Sequence, residues 1–164
     1  MGNMDIYNAV STVPGSAQKR ITGGRLNGMT DINPMWRIRE LTELFGPCGI
    51  GWKYKIVREW LETASTGEVG AFVDIELQYK ITLDADWSEP IPGTGGSKFV
   101  AAEKGNNLRA SDECYKMALT DAISVACKAL GFGADVYWEA GRTKYNACLL
   151  YPSPSPRDMR RSRM

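Results

Sequence analysis

Histidine is absent from the 164-residue sequence, and this removes the most common side chain of acid–base catalysis. Serine and cysteine nucleophiles are usually activated by a neighbouring histidine, so neither arrangement can be built here. Zinc binding is not expected either, because the four cysteines lie far apart and form no C-x-x-C pair. They are Cys48, Cys114, Cys127 and Cys148. We therefore expect a protein that is not an enzyme and that has no metal or other cofactor.

Long apolar runs are also missing. No segment approaches the roughly 18 apolar residues that cross a bilayer, and the first twenty residues lack the apolar core of a signal peptide. We therefore expect a cytoplasmic protein without membrane contact, in which the cysteines stay reduced. The composition, with 43% apolar and 24% charged residues, is typical of a globular domain that can bury one core.

The last seventeen residues differ from the rest of the chain. They read CLLYPSPSPRDMRRSRM and have no apolar period, which fits a disordered basic tail. The string CLLYPSPSPRD, followed by SRM, is however similar to a translated sequencing adapter. We therefore interpret residues 148–164 as a non-native, adapter-derived tail and expect the natural domain to continue past residue 147. The tail has four Arg and one Asp, so the overall charge of +1 becomes −2 for the body. A polyanion would have to bind a local patch.

The first third of the body predicts a flexible segment followed by a helix. Residues 1–30 are rich in Gly and Ser, and we expect them to be flexible apart from a short helix near residues 5–10. Apolar residues with helical spacing then predict a helix over residues 34–45. Asn33 is a suitable N-cap, Pro34 fits the first turn, and Gly46 ends the helix.

Two long strands are predicted next, from residues that alternate between apolar and polar. In the first, Trp52, Tyr54, Ile56 and Trp60 are expected on one face, and Lys53, Lys55 and Glu59 on the other. In the second, the odd-numbered residues from Val69 to Leu83 are expected to face the core. A hairpin connection at residues 63–68 makes the pair antiparallel.

The remaining body predicts a loop, a short strand and a long helix. Residues 84–97 are rich in Pro and Gly and are expected to form a loop, with a strand over residues 98–102. A helix over residues 111–130 is predicted, with Ser111 as its cap and Gly131 as its end. Its expected apolar stripe is Tyr115, Leu119, Ala122, Ile123, Ala126, Cys127 and Leu130. The predicted fold class is α+β, an antiparallel β-β-β meander packed by helices with a β-β-β-α core.

Two motifs suggest chemistry but are incomplete. Residues 93–98 read GTGGSK, yet the spacing of a phosphate-binding loop is absent and Lys98 precedes Phe99. A flexible hairpin loop explains this segment better. Asp74 and Glu76 share a strand face and could hold Mg²⁺ in a nuclease, although a solvated polar face explains them equally well. Among the tryptophans, Trp36 and Trp87 are the candidates for stacking on bases.

Basic residues on several elements form the candidate nucleic-acid site, since a stripe of cations can follow a phosphate backbone. The candidates are Arg37, Arg39, Lys53, Lys55, Lys98, Lys104, Lys116 and Lys128. Spacing alone does not distinguish this stripe from a charged face that is only solvated.

Three segments, in order, resemble the single-strand annealing domain of the eukaryotic repair protein Rad fifty-two and its bacteriophage relatives. They are INPMWRIRELTELFGPCGIGWKYKI (residues 32–56), VGAFVDIELQY (residues 69–79) and ECYKMALTDAISVACKALGFGADVYW (residues 113–138). The resemblance covers about residues 20–140, is most specific in the third segment, and is greatest to the phage branch. It implies that residues 31–147 form a single-strand annealing domain that is truncated at its C-terminal end.

This resemblance implies a homo-oligomeric ring or filament that binds single-stranded DNA in a basic groove and anneals complementary strands without ATP. The groove-lining arginine of the family falls at Trp36, beside Arg37. The family's basic cluster on the last helix falls at Ser124, Val125 and Lys128, of which only Lys128 is basic here. Part of the groove is therefore thinner than in the family, and Lys53 and Lys55 are the substitutes we expect.

The expected role is recombination and repair in the cytoplasm of a bacterial host, with single-stranded DNA, other copies of the chain and a host single-strand-binding protein as partners. Two alternatives stay open. The protein could coat single-stranded DNA without promoting pairing, or it could be a Mg²⁺-dependent nuclease that uses Asp74 and Glu76.

Overall fold

A computed structural model of the chain describes residues 2–24, 26–102 and 108–138. In chain order the elements are α1 (Asp5–Val10), a 3-10 turn (Gly15–Ala17), β1 (Gln18–Arg20), β2 (Thr30–Ile32), α2 (Pro34–Phe45), β3 (Trp52–Thr63), β4 (Val69–Tyr79), β5 (Ile91–Ala102), β6 (Leu108–Ala110), α3 (Cys114–Ala129) and α4 (Ala134–Trp138). The predictions for Lys104 and for the tail at residues 148–164 lie outside the described residues. Across the described ranges, no helix has the length and apolar character that spanning a membrane requires.

The fold is α+β, as the sequence predicts. Strands β3, β4, β5 and β6 form one antiparallel sheet in that order, and β1 pairs with β2 separately. Helix α3 packs on β4 and β5, which completes a β-β-β-α arrangement. The core lies between the sheet and the helices, and its largest fully buried side chains include Trp52, Phe132 and Leu41.

Helix α2 has the predicted bounds. The Asn33 side-chain oxygen accepts a hydrogen bond of 3.0 Å from the Met35 backbone N–H, and Pro34 occupies the first turn. Gly46 ends the helix with φ of 103°, a conformation that costs glycine little. The predicted short helix near residues 5–10 is also present, as α1. Val10 and Val13 are buried in the same core, so the N-terminal segment packs on the domain although its composition gives little sign of this.

The predicted face of Trp60 is wrong, because a β-bulge interrupts β3. The register shifts between Ile56 and Arg58, so Val57 has no partner in β4. An extra residue exchanges the two faces for everything that follows. Trp60 therefore lies opposite Phe72 on the outer face of the sheet, with ring centroids 5.5 Å apart, while Glu59 pairs with the buried Val73 on the helix-covered face.

Strand β4 ends earlier than its sequence pattern predicts. Ala71, Val73, Ile75 and Leu77 are buried as expected. The strand stops at Tyr79, and the odd-numbered residues beyond it, Ile81 and Leu83, are exposed. The apolar alternation in the sequence therefore continues past the end of the strand.

The predicted loop is confirmed for residues 84–90 and wrong for residues 91–97, because β5 begins at Ile91 and extends through the predicted strand at residues 98–102. The hairpin-loop interpretation of residues 93–98 is also wrong, because this glycine-rich segment belongs to β5. The glycines allow α3 to approach the sheet. A Cβ at Gly93 would lie 2.3 Å from the Ala122 carbonyl oxygen, and a Cβ at Gly95 would lie 2.0 Å from the Ala118 carbonyl oxygen. Glycine thus serves here as a packing surface in a strand.

Helix α3 begins three residues later than predicted, at Cys114. Ser111 is therefore not its N-cap; its hydroxyl instead accepts a hydrogen bond of 3.3 Å from the Glu113 backbone N–H. Ala122, Ile123, Ala126 and Cys127 of the predicted stripe are buried, but Tyr115 is exposed. The buried face of α3 consists mainly of small residues that fit against the β5 glycines. It is therefore rotated about the helix axis from the face predicted from the larger apolar residues. Gly131 follows the helix with φ of 98°, as predicted.

Candidate nucleic-acid interface

An open cleft of about 460 Å³ lies between the β2–α2 segment and α3. Three of the eight candidate cations, Arg37, Lys116 and Lys128, line this cleft together. They come from two elements that are distant in sequence, so the fold brings them together. Ser124, at a position that the resemblance assigns to the groove, also lines it. The other lining residues are Thr30, Asp31, Ile32, Pro34, Met117, Thr120, Asp121 and Tyr137.

Arg37 is the most unusual residue of the cleft, because its side chain is charged and only 4% exposed. Its Nη1 donates to the Ile32 carbonyl oxygen and its Nη2 to the Tyr137 hydroxyl, both at 3.4 Å. The buried Nε has no hydrogen-bond partner among the described residues. Within the part of the chain that the structure describes, no carboxylate lies within 4 Å of the guanidinium. A buried charge normally has a counter-charge. The site is therefore suited to an anion.

The two lysines extend this positive region along α3. Lys128 is exposed in the last turn, with its Nζ 4.9 Å from the centroid of the Tyr137 ring. Lys116 lies 12 positions earlier, which places it about 18 Å away along a helix. Its Nζ is 3.7 Å from a carboxylate oxygen of Glu113, but both side chains are exposed, so the pair contributes little. Both ammonium groups remain accessible to a ligand.

Two carboxylates, Asp31 and Asp121, moderate the charge of the cleft. Asp121 Oδ2 accepts a hydrogen bond of 3.1 Å from the Gly96 backbone N–H, which fastens α3 to the edge of β5. Among the described residues, the lining therefore holds three cationic and two acidic side chains. The excess of positive charge is small, and it is concentrated where Arg37 and Lys128 meet Tyr137.

Cys127 is buried close to Arg37, and its thiol has low reactivity. Burial raises the pKa of its thiol from 9.0 to about 12, although the positive charge of Arg37 opposes the shift. A thiol with such a pKa stays protonated at physiological pH and is a poor nucleophile. The cleft therefore has a neutral, apolar backing at this point.

The raised pKa predicts a loss of stability in alkaline solution. Below pH 9 the thiol is protonated in both states, so it adds no pH dependence. Between pH 9 and about 12 the unfolded chain releases this proton and the folded chain keeps it, so the free energy of unfolding falls, by at most about 1.4 kcal/mol per pH unit. Urea unfolding at stepped pH should show a shallower decline for Cys127→Ala. The Cys48→Ala protein, in which an exposed cysteine is replaced, is the matched comparison.

The remaining described candidates lie outside the cleft. Lys53 and Lys55 are on the outer face of the sheet, and Lys98 is there too, with its Nζ 3.1 Å from Glu68. Lys53 is packed against an indole, since its Nζ lies 3.9 Å from the centroid of Trp87. Arg39 is exposed on α2, with its Nε 3.9 Å from Glu43. The structure thus divides the predicted stripe. Arg37, Lys116 and Lys128 line the cleft, Lys53, Lys55 and Lys98 lie on the outer face of the sheet, and Arg39 lies on α2.

The aromatic residues nearest the cleft are not those that the sequence pattern selects. Trp36 is buried, and its ring meets Phe132 edge-on at 6.0 Å, so it belongs to the core. Tyr137 and Trp138, on the short helix α4, lie at the cleft and beside it. Their signal in the sequence is weak, because an aromatic pair just after a helix end is equally typical of core packing.

The acidic residues of the nuclease alternative lie on the outer face of the sheet. Asp74 Oδ1 accepts a hydrogen bond of 2.5 Å from the Thr94 hydroxyl, and Glu76 is two residues further along β4. Among the described residues, no group of three or more His, Cys, Asp or Glu side chains is placed to hold a metal ion. No family model matches the chain, and no curated protein matches it in sequence.

Proposed function

We propose that this chain binds single-stranded DNA through the cleft and anneals complementary strands without ATP, as a homo-oligomeric ring or filament. The observation that carries the proposal is the buried Arg37 guanidinium, which has no carboxylate within 4 Å among the described residues and lies in the same cleft as Lys116 and Lys128. A phosphate would supply the missing negative charge. The cellular role would be recombination or repair in the cytoplasm of a phage-infected bacterium.

The length of the positive region favours a polymer over a small anion. Lys116 and Lys128 lie about 18 Å apart along α3, and a nucleic-acid strand carries a phosphate about every 3.4 Å along a duplex axis. A single phosphate can therefore contact only one end of the cleft, whereas a strand can contact both. The cleft is open to solvent, which allows a chain to enter and leave it.

Annealing needs little chemistry from the protein. If the cations hold the phosphates, base pairing itself recognises the complementary strand, so neither a nucleotide-hydrolysing site nor a metal is required. The glycine-rich segment that resembles a phosphate-binding loop is the interior of β5. This arrangement supports a role in which the protein holds one strand in place and a second strand pairs with it.

The free edge of the sheet supports self-association. Strand β3 is an edge strand of 12 residues, and its outer edge has no neighbouring strand among the described residues. Four apolar side chains of β3 are exposed, Tyr54, Ile56, Val57 and Leu61. Long apolar edges readily pair with other chains, and a contact between two different surfaces of identical copies generates rings or filaments.

An annealing assay in EDTA separates this proposal from its alternatives. Two complementary labelled oligonucleotides are mixed with the purified chain, and pairing is followed by energy transfer between the labels. We expect pairing to be faster than without protein and unaffected by EDTA, since no metal is involved. The same samples should show rings or filaments by negative-stain electron microscopy.

Each other outcome selects a different function. Binding that slows pairing indicates a coating protein, and cleavage that requires Mg²⁺ indicates a nuclease centred on Asp74 and Glu76. A monomer that does not bind oligonucleotides in dilute buffer contradicts the proposal as a whole.

A further inference from the structure

We infer that Trp138 is a stacking platform for an unpaired base of the strand whose phosphates occupy the cleft. This inference rests on the proposed function and names a specificity-determining residue for it. Trp138 is 79% exposed, which is unusual for the largest apolar side chain. An indole with open faces beside a cationic site matches the chemistry of a nucleobase, which has a flat π-surface attached to a phosphate chain.

The indole is fixed in place although it is exposed. Its Nε1 donates a hydrogen bond of 3.1 Å to the Tyr7 hydroxyl, so its one polar atom is satisfied and the rest of the ring remains available. A ring that is already oriented loses little conformational entropy when a ligand binds. Trp138 is therefore prepared for a flat ligand.

A second depression connects Trp138 to the cleft. It is lined by Tyr7, Lys128, Ala134, Tyr137 and Trp138, and it shares Lys128 and Tyr137 with the cleft. Tyr137 links the two parts, because its hydroxyl accepts from Arg37 and its ring faces Lys128. The same hydroxyl can still donate its own hydrogen to a phosphate oxygen. A strand that leaves Arg37 by way of Lys128 thus reaches the indole.

Helix α4, which carries Trp138, is attached to the N-terminal segment by several hydrogen bonds. The Gly133 and Asp135 backbone N–H groups donate to the Val10 and Ser11 carbonyl oxygens at 2.9 Å and 3.1 Å. The Thr12 hydroxyl donates to Asp135 Oδ2 at 2.6 Å. These bonds span more than 120 positions of the chain. They position the aromatic pair relative to the cations, as a preorganised site requires.

Stacking on Trp138 would make the protein prefer single strands over duplexes, whatever the identity of the stacked base. Both faces of a base inside a duplex are covered by its neighbours, so only an unpaired base can stack on Trp138 without disrupting base pairs. Because every base has a π-face, such stacking is tolerant of sequence. The cations alone would bind any polyanion of suitable spacing.

The test compares oligo-deoxythymidine with an abasic oligonucleotide of the same length, each labelled and titrated by fluorescence anisotropy. Trp138→Ala should weaken binding of the thymidine strand about tenfold, because a stacked base is lost, and should leave binding of the abasic strand unchanged. Trp138→Phe should restore most of the lost affinity, since it keeps a ring but not the hydrogen bond to Tyr7. Thermal melts of the three proteins check that each is folded.

The outcomes distinguish this inference from the proposed function. If the unchanged protein binds neither oligonucleotide, the proposed function fails. If it binds both, but Trp138→Ala weakens them equally or affects neither, the function stands and the stacking role is overturned. A loss of affinity that Trp138→Phe does not restore also counts against stacking, because it assigns the effect to the hydrogen bond with Tyr7.

Discussion

Replacing both Lys116 and Lys128 by alanine should weaken binding of an oligo-deoxythymidine about 25-fold at 0.1 M salt. On a single strand each phosphate contact contributes about 0.7 to the slope of log affinity against log salt, so each is worth about fivefold at this concentration. The slope itself should decrease by about 1.4. Both lysines are exposed and contribute little to the core, so the fold should persist. Anisotropy titrations at several salt concentrations measure both quantities.

A matched variant controls for the loss of charge. Arg39→Ala with Lys98→Ala also removes two positive charges, and both residues lie outside the cleft. We expect this variant to bind within about threefold of the unchanged protein, since distant exposed charges are screened beyond about 10 Å at 0.1 M salt. If the two double variants are equally weak, binding follows the overall charge or the outer face, and the assignment of the cleft is wrong.

Replacing Gly95 by alanine should have the largest effect on stability. A Cβ at this position would lie 2.0 Å from the Ala118 carbonyl oxygen and 2.2 Å from the Ala122 backbone nitrogen. Both atoms belong to helix backbone, so α3 would have to move away from the sheet. Overpacking of a core usually costs about 1–3 kcal/mol, and a clash with backbone belongs at or beyond the upper end of this range. In a domain of this size, that corresponds to a fall of about 6–12 °C in the Tm.

Gly15→Ala is the natural control for this prediction. Among the described residues, no heavy atom lies within 4 Å of a Cβ built at Gly15. The Tm of the Gly15→Ala protein should therefore stay within about 2 °C of that of the unchanged protein, which is the shift that ~0.5 kcal/mol produces. Circular dichroism melts of the two variants give the comparison. Equal melting temperatures for Gly95→Ala and Gly15→Ala would show that α3 does not rest on the glycine surface of β5.

The parts of the fold that depend on local chemistry could be predicted from the sequence. Asn33, Pro34 and Gly46 define α2 through interactions within a few residues. The sequence pattern wrongly predicts a loop at the β5 glycines, because glycine is common both in turns and where a helix packs closely on a strand. Only the position of α3 distinguishes the two cases. The face of Trp60 was missed for a similar reason, since a bulge at Val57 depends on the pairing with β4.

Prediction of the candidate site from the sequence is limited in the same way, because it too depends on contacts between distant residues. Lys128 could be selected from the sequence by its position in the resemblance, and Arg37 as the basic residue beside such a position; the structure places both in the cleft. Nothing in the sequence indicates that Arg37 is buried or that Lys53 packs against Trp87. Tyr137 and Trp138 could not be selected, because their place depends on contacts with residues at the opposite end of the described chain.

These contacts between residues 7–12 and residues 133–138 also determine when the proposed binding surface can form during synthesis. Residues 7–13 leave the ribosome first, but their partners at residues 133–138 follow only after the entire sheet and α3 have been made. Until then a growing chain holds Arg37 without Tyr137, and the cations of the cleft lack this aromatic neighbour. Contacts between such distant residues form late in folding, since closing a long loop costs entropy. A nascent chain should therefore complete the cleft, and with it the proposed DNA-binding surface, only after residue 138 has been synthesised.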